Sequence, residues 1–182
     1  MNKAIGMVEL TTVSAGITCA DRMIKTADVE VLQSTTVCPG KYIVIIAGEL
    51  SAVKASVDAA LQIAPEKVID SFLLGNPHDA IFPAIYGVAA PENPEALGVV
   101  ETYSAASAVV AADTAAKTSM VDLIELRLAK GMCGKSYLLL TGSVSAVQAA
   151  VDKASKEAAD KGLLLDTSVI PRPDMKLWSS IL

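Results

Sequence analysis

The side chains of this sequence most able to do chemistry are three cysteines, Cys19, Cys38 and Cys133, and one histidine, His78. With a single histidine, no two-histidine metal triad can be assembled within the chain; His78 reads as loop surface. Cys38 stands in Val37-Cys38-Pro39-Gly40-Lys41. Proline and glycine keep the backbone compact beside the thiol, so nearby amides could stabilise charge on sulfur. An iron-sulfur cluster normally takes several thiolates, so a lone Cys-Pro-Gly is a weak motif. Cys133, in Met132-Cys133-Gly134-Lys135, reads as a small residue in a tight turn, with an extra ligand or redox partner as the alternative. Cys19 falls in a helical stretch and reads as an inert core thiol. Neither Gly40-Lys41 nor Gly134-Lys135 belongs to the phosphate-binding Gly-x-x-x-x-Gly-Lys-Ser/Thr pattern. The pattern points to no enzyme.

The elements that position these residues come from a duplication. At an offset of 92, Ala4 matches Ala96, and Gly6/Gly98, Glu9/Glu101, Asp21/Asp113 and Lys25/Lys117 coincide. At an offset of 94, Gly40/Gly134, Lys41/Lys135, Gly48/Gly142, Ser51/Ser145 and Val57/Val151 coincide, and at 96 Asp70/Asp166 and Pro77/Pro173. Small shifts between matched blocks are insertions in loops, so the chain is two copies of one domain, 1–92 and 93–182, joined by an extended linker around Ala90–Pro94. Each copy reads strand, helix, strand, strand, helix, strand. The first helix (15–26) carries Ile17, Ala20, Ile24 and Ala27 at helical spacing, with Asp21 and Lys25 at i,i+4. Ser51 and Ser145 are placed to cap the second helices. This order is the ferredoxin-like arrangement, an α+β fold with an antiparallel sheet and both helices on one face. Glu9 and Glu101 occupy equivalent strand positions and read as structural rather than as a catalytic carboxylate pair.

Composition narrows the partners. The 182 residues are 52% hydrophobic, 19% charged and 4% aromatic, with a net charge of -5. An acidic chain offers no basic surface to phosphates, which argues against nucleic acid. Mean hydropathy is +0.47, yet apolar runs such as 42–47 fall far below the ~20 residues of a spanning helix, so no membrane partner is expected. The excess apolar surface is expected in contacts between subunits. An odd number of cysteines and no visible secretory leader lead to the expectation of a reducing cytosol.

Several motifs follow in order: Ala-Ile-Gly-Met-Val-Glu opens the first copy at 4–9, Asp-x-x-x-Lys-x-Ala/Ser-x-Val recurs at 21–29 and 113–121 and Gly-x-x-Ser-Ala-Val at 48–53 and 142–147, and the copies close on Pro-His at 77–78 and Pro-Arg-Pro at 171–173. From about Ala4 to Trp178 the sequence resembles the bacterial microcompartment (BMC) shell domain, duplicated as in the tandem-domain, trimer-forming shell proteins. Thr36-Val-Cys-Pro-Gly-Lys41 and Ser168-Val-Ile-Pro-Arg-Pro173 most resemble their iron-sulfur branch. The resemblance implies a homotrimeric pseudohexameric tile in a microcompartment shell within the cytoplasm. It implies a pore lined by Cys38, Pro39, Gly40, Lys41, Met132, Cys133, Gly134 and Lys135, and tile edges carrying Lys25, Lys117, His78 and Arg172. It further implies one [4Fe-4S] cluster per trimer, held at the threefold axis by Cys38 of three chains and moving electrons or a cluster across the shell. The implied partners are other shell proteins edge to edge and lumenal redox enzymes. Two other readings stay open: a shell tile with a metal-free pore, and a free-standing ferredoxin-like oligomer binding a small metabolite.

Overall fold

The computed structural model describes residues 4–91 and 94–181; Glu92 and Asn93, within the expected linker, lie outside the described residues. The first repeat runs β1 (Ala4–Leu10), α1 (Val13–Thr26), β2 (Glu30–Val37), β3 (Lys41–Gly48), α2 (Leu50–Ile63), a 3-10 turn (Pro65–Lys67) and β4 (Val68–Leu74). A short α3 (Ile81–Tyr86) follows. The second repeat is β5 (Ala96–Thr102), α4 (Ala105–Thr118), β6 (Val121–Arg127), β7 (Ser136–Gly142), α5 (Val144–Asp160) and β8 (Leu164–Ile170), with α6 (Met175–Ile181) after it. Each repeat forms a four-stranded antiparallel sheet, ordered β2-β3-β1-β4 and β6-β7-β5-β8, the ferredoxin-like order.

The central strands need no polar alternation because both of their faces are covered: all of β1 is buried, and so is β3 from Tyr42 to Ala47. Gly6 and Gly98 recur because a helix lies directly over them. A Cβ on Gly6 would come within 2.7 Å of Val53 and Val57, and one on Gly98 within 2.8 Å of Val147. In α1, Gly16 admits the Tyr42 ring, which a Cβ would meet at 2.3 Å.

Three expectations change in detail. The inward stripe of α1 is Gly16, Cys19, Ala20 and Met23, whereas Ile17 and Ile24 face outward. The close seat on Tyr42 turns the glycine flank inward and leaves the isoleucines for something else to cover. The cap positions of the second helices lie two residues before the expected ones: Ser143 caps α5 by accepting from the Ala146 N–H at 3.3 Å, while α2 starts after Glu49 without a side-chain cap. Finally, α3 and α6 are absent from the sequence reading, being six and seven residues long. Pro83 is tolerated in the first turn of α3, where the N–H has no helical partner, and α6 buries Trp178 against Leu97 and Ile124.

The chain divides into two compact units. One comprises the described residues up to Pro77 together with Ser104–Ser107 and Ala129–Gly134; the other comprises His78–Tyr103, Ala108–Leu128 and the chain from Lys135 on. The first unit thus includes the first turn of α4 and most of the β6–β7 loop besides its own repeat.

Candidate functional site: two turns joined through a buried carboxylate

The β2–β3 turn is closed by the Gly40 N–H donating to the Val37 carbonyl at 3.0 Å, with Gly40 at φ 109, open to glycine and rarely to other residues. The Cys38–Pro39 peptide is cis. Within the same unit lies the loop Ala129–Gly134, whose Ala129, Gly131, Cys133 and Gly134 all have positive φ. Two contacts tie the turns together: the Cys38 N–H donates to the Ala129 carbonyl at 2.9 Å, and the Lys41 ammonium donates to the Gly134 carbonyl at 3.3 Å. Gly134 has no room for a side chain, since a Cβ there would lie 2.9 Å from the Cys38 carbonyl oxygen.

Beneath the turns is Glu9, with no solvent exposure at all. One carboxylate oxygen accepts from Lys41 Nζ at 3.0 Å; the other accepts from the Ala105 N–H at 2.8 Å, in the first turn of α4. A carboxylate is favoured there because the first N–H groups of a helix lack internal partners and carry partial positive charge. Beside it, the Asp70 carboxylate accepts from the hydroxyls of Ser104 and Ser107, the latter at 2.7 Å, and Ser104 Oγ accepts from the Ser107 N–H at 2.9 Å. Sequence reasoning passed over Asp70, Ser104 and Ser107. The available signals were the Asp70/Asp166 identity and a serine three residues before the Ser107 N–H.

The remaining candidates are dispersed. Cys38 is half-buried, and Pro39 and Gly40 are exposed. Met132 and Lys135 are half-buried and Cys133 is exposed. Cys19 is fully buried with its thiol directed at the Ala60 carbonyl (3.8 Å), and desolvation pushes its pKa up. Lys25 pairs with Asp21 at 2.8 Å on the exposed face of α1. Lys117 pairs with Asp113 at 2.7 Å, and Asp113 also accepts from the His78 N–H at 2.8 Å. Arg172 is exposed just past β8. Glu101 is half-exposed, unlike Glu9.

A second cluster, unforeseen from the sequence, lies in the second unit. Tyr137 OH donates to Glu125 Oε2 at 2.6 Å, Arg127 donates to Glu125 Oε1 at 2.7 and 2.9 Å, and the guanidinium sits 5.4 Å from the Tyr137 ring centroid. Burial, and then the bond to Glu125, push the Tyr137 pKa up to about 12. Glu125 and Arg127 line a cavity of about 330 Å³ with Gly87, Ala90, Ile124 and Ile181, and their mutual pairing leaves it no unbalanced charge.

Among the described residues, no group of three or more His, Cys, Asp and Glu side chains could hold a metal ion. No described helix is long and apolar enough to cross a membrane. Cys38 and Cys133 thus lie on turns, half-buried and exposed, and the class the fold defines is a tandem-repeat ferredoxin-like α+β protein. The chain belongs to the BMC domain family, which matches residues 4–77 and 96–173. It is 41% identical to the bacterial microcompartment shell protein PduT of Citrobacter freundii, over 98% of this chain and 97% of that protein. It is 28% identical to the carboxysome assembly protein CcmO of Synechococcus elongatus, over 98% of this chain and 68% of that one. The crystal structure of a microcompartments protein from Desulfitobacterium hafniense DCB superposes with a TM-score of 0.87 at 44% identity, covering 98% of this chain and 99% of that one.

Proposed function

We propose that the chain is a structural tile of a bacterial microcompartment shell, a homotrimer whose six BMC domains ring a central opening, and that the tile is not an enzyme. The whole-chain identity to the shell protein PduT carries this reading. Its partners are other shell proteins, met edge to edge along the faces bearing Lys25, Lys117, His78 and Arg172, and redox enzymes of the lumen.

We further propose that Cys38 from three chains holds one [4Fe-4S] cluster. The donor chemistry suits iron, since a thiolate on a half-buried turn is both accessible and partly shielded. One chain supplies one such thiol and no neighbouring group of ligands among its described residues, so the cluster has to be shared between copies. Such a cluster would supply one-electron chemistry. The role of the chain is to hold Cys38 at a set height through the Cys38–Ala129 and Lys41–Gly134 contacts.

The test is anaerobic purification with native mass, iron and sulfide content, absorption and EPR spectra, using Cys38→Ser as control. A trimer with cluster signals that vanish in Cys38→Ser is expected. A trimer without iron identifies a metal-free pore instead, and a saturable small-molecule ligand on a discrete oligomer that forms no sheets identifies the metabolite-binding alternative.

A further inference from the structure

Glu9 and Asp70 together receive the first turn of a helix, and Glu101 and Asp166 hold the same strand positions in the second repeat. The strand registers place the two alike. Glu9 is paired across the sheet with Ile43 and Asp70, and Glu101 with Tyr137 and Asp166, with a register irregularity after both Glu9 and Glu101. Even the local bonds repeat: the Ser71 N–H donates to Asp70 Oδ1 at 2.8 Å, and the Thr167 N–H donates to Asp166 Oδ1 at 2.8 Å. In the first unit the remaining oxygens receive α4, through the Ala105 N–H on Glu9 and the Ser104 and Ser107 hydroxyls on Asp70. In the second unit, among the described residues, the side chains of Glu101 and Lys135 make no hydrogen bond or ion pair, and that of Asp166 makes only its local one.

The repeat counterpart of the received helix turn is exposed. Helix α1 is the repeat counterpart of α4, so Thr12 corresponds to Ser104, Val13 to Ala105, Ser14 to Ala106 and Ile17 to Val109. Ala105 and Val109 are 0% exposed, whereas Val13 is 36% and Ile17 56% exposed. Thr12 already accepts from the Ala15 N–H at 3.4 Å, as Ser104 does from the Ser107 N–H, which leaves the Thr12 hydroxyl hydrogen free to reach a carboxylate. Apolar exposure, charge and hydrogen-bonding capacity all agree with the filled receptor, and its insert is built from the same repeated sequence.

We propose that the receptor of Glu101, Lys135 and Asp166 takes the first turn of α1 from a second copy of this chain. Glu101 accepts from the Val13 N–H of that copy while paired with Lys135, Asp166 accepts from the Thr12 hydroxyl, and Val13 and Ile17 are covered. Receptor and insert are different surfaces, so the contact is head-to-tail and propagates until a ring closes. This assignment rests on the trimer reading and gives its joint named residues. Ala15 stands where Ser107 stands in the internal joint, so the joint between chains lacks one hydroxyl bond.

Subunit exchange between unlabelled and nitrogen-15-labelled protein, followed by native mass spectrometry, tests it. Glu101→Gln and Asp166→Asn should each speed exchange at least tenfold. Ala15→Ser, which restores the missing hydroxyl, should slow it about tenfold, the worth of one hydrogen bond to a charged group. Trimers whose exchange is unmoved by all three substitutions overturn the joint and leave the trimer standing; a chain that is monomeric at every concentration overturns both.

Discussion

Replacing Glu9 by glutamine tests whether the buried carboxylate holds Lys41 and the first turn of α4. The substitution keeps the volume and removes the charge. Glu9 uses one oxygen for Lys41 Nζ at 3.0 Å and the other for the Ala105 N–H at 2.8 Å, and both partners are donors. A carboxamide has one acceptor oxygen and one donor NH2, so whichever way it turns, one of these contacts becomes donor against donor. A hydrogen bond to a charged group contributes about 1.5–3 kcal/mol, and breaking a fully buried ion pair costs about 3–5 kcal/mol. Glu9 is 0% exposed but the Lys41 side chain is 18% exposed and can turn to water, which places the cost at the bottom of that range. About 3 kcal/mol corresponds to a Tm lowered by about 6–12 °C for a chain of this size. Thermal unfolding by circular dichroism reads the loss. In a double-mutant cycle with Lys41→Met, the combined cost should fall short of the sum by more than about 0.5 kcal/mol, because the two side chains share one contact. A Glu9→Gln protein melting within about 2 °C of the parent, or strictly additive costs, would refute the buried-pair account.

Two further outcomes follow from the same chemistry. In metal-free protein, a thiol reagent should modify Cys133 first, Cys38 more slowly and Cys19 only on unfolding, following their exposed, half-buried and fully buried positions; a mass-resolved time course checks the order, and early labelling of Cys19 would contradict its burial. Tyr137 should ionise near pH 12 rather than near its ordinary value of 10.0. Folding favours the neutral phenol, so its stabilisation is whole below pH 10.0 and is lost as the pH rises toward about 12. Absorption at the phenolate band, differenced against Tyr137→Phe, locates the transition, and Glu125→Gln should lower it only part of the way because burial is the larger cause.

Much of the fold was legible because it is written twice. The match of Gly6 with Gly98 and of Lys41 with Lys135 identified the repeat, and the strand and helix order followed from reading both copies together. Helix faces were less legible. Ile17 and Ile24 have the spacing of a core stripe, yet the core side of α1 is set by Gly16, whose missing side chain lets Tyr42 approach, and that demand comes from β3 rather than from the helix. The α3 and α6 helices were missed because a helix of six or seven residues shows barely two turns of periodicity and depends on what it packs against.

By itself the sequence determined the duplication, the strand order and the placing of Cys38 and Cys133 on equivalent turns, since these depend on local pattern and on the register of one copy against the other. Only the tertiary structure decided which of two identical glutamates is buried. Glu9 and Glu101 share residue type, strand position and register, yet Glu9 meets Lys41 and the first turn of α4 while Glu101 meets neither, because that helix turn can fill one receptor only. The same placement ties the Cys38 turn to the Ala129–Gly134 loop across 91 residues of sequence, a contact that pairs backbone with backbone and leaves no mark in side-chain pattern.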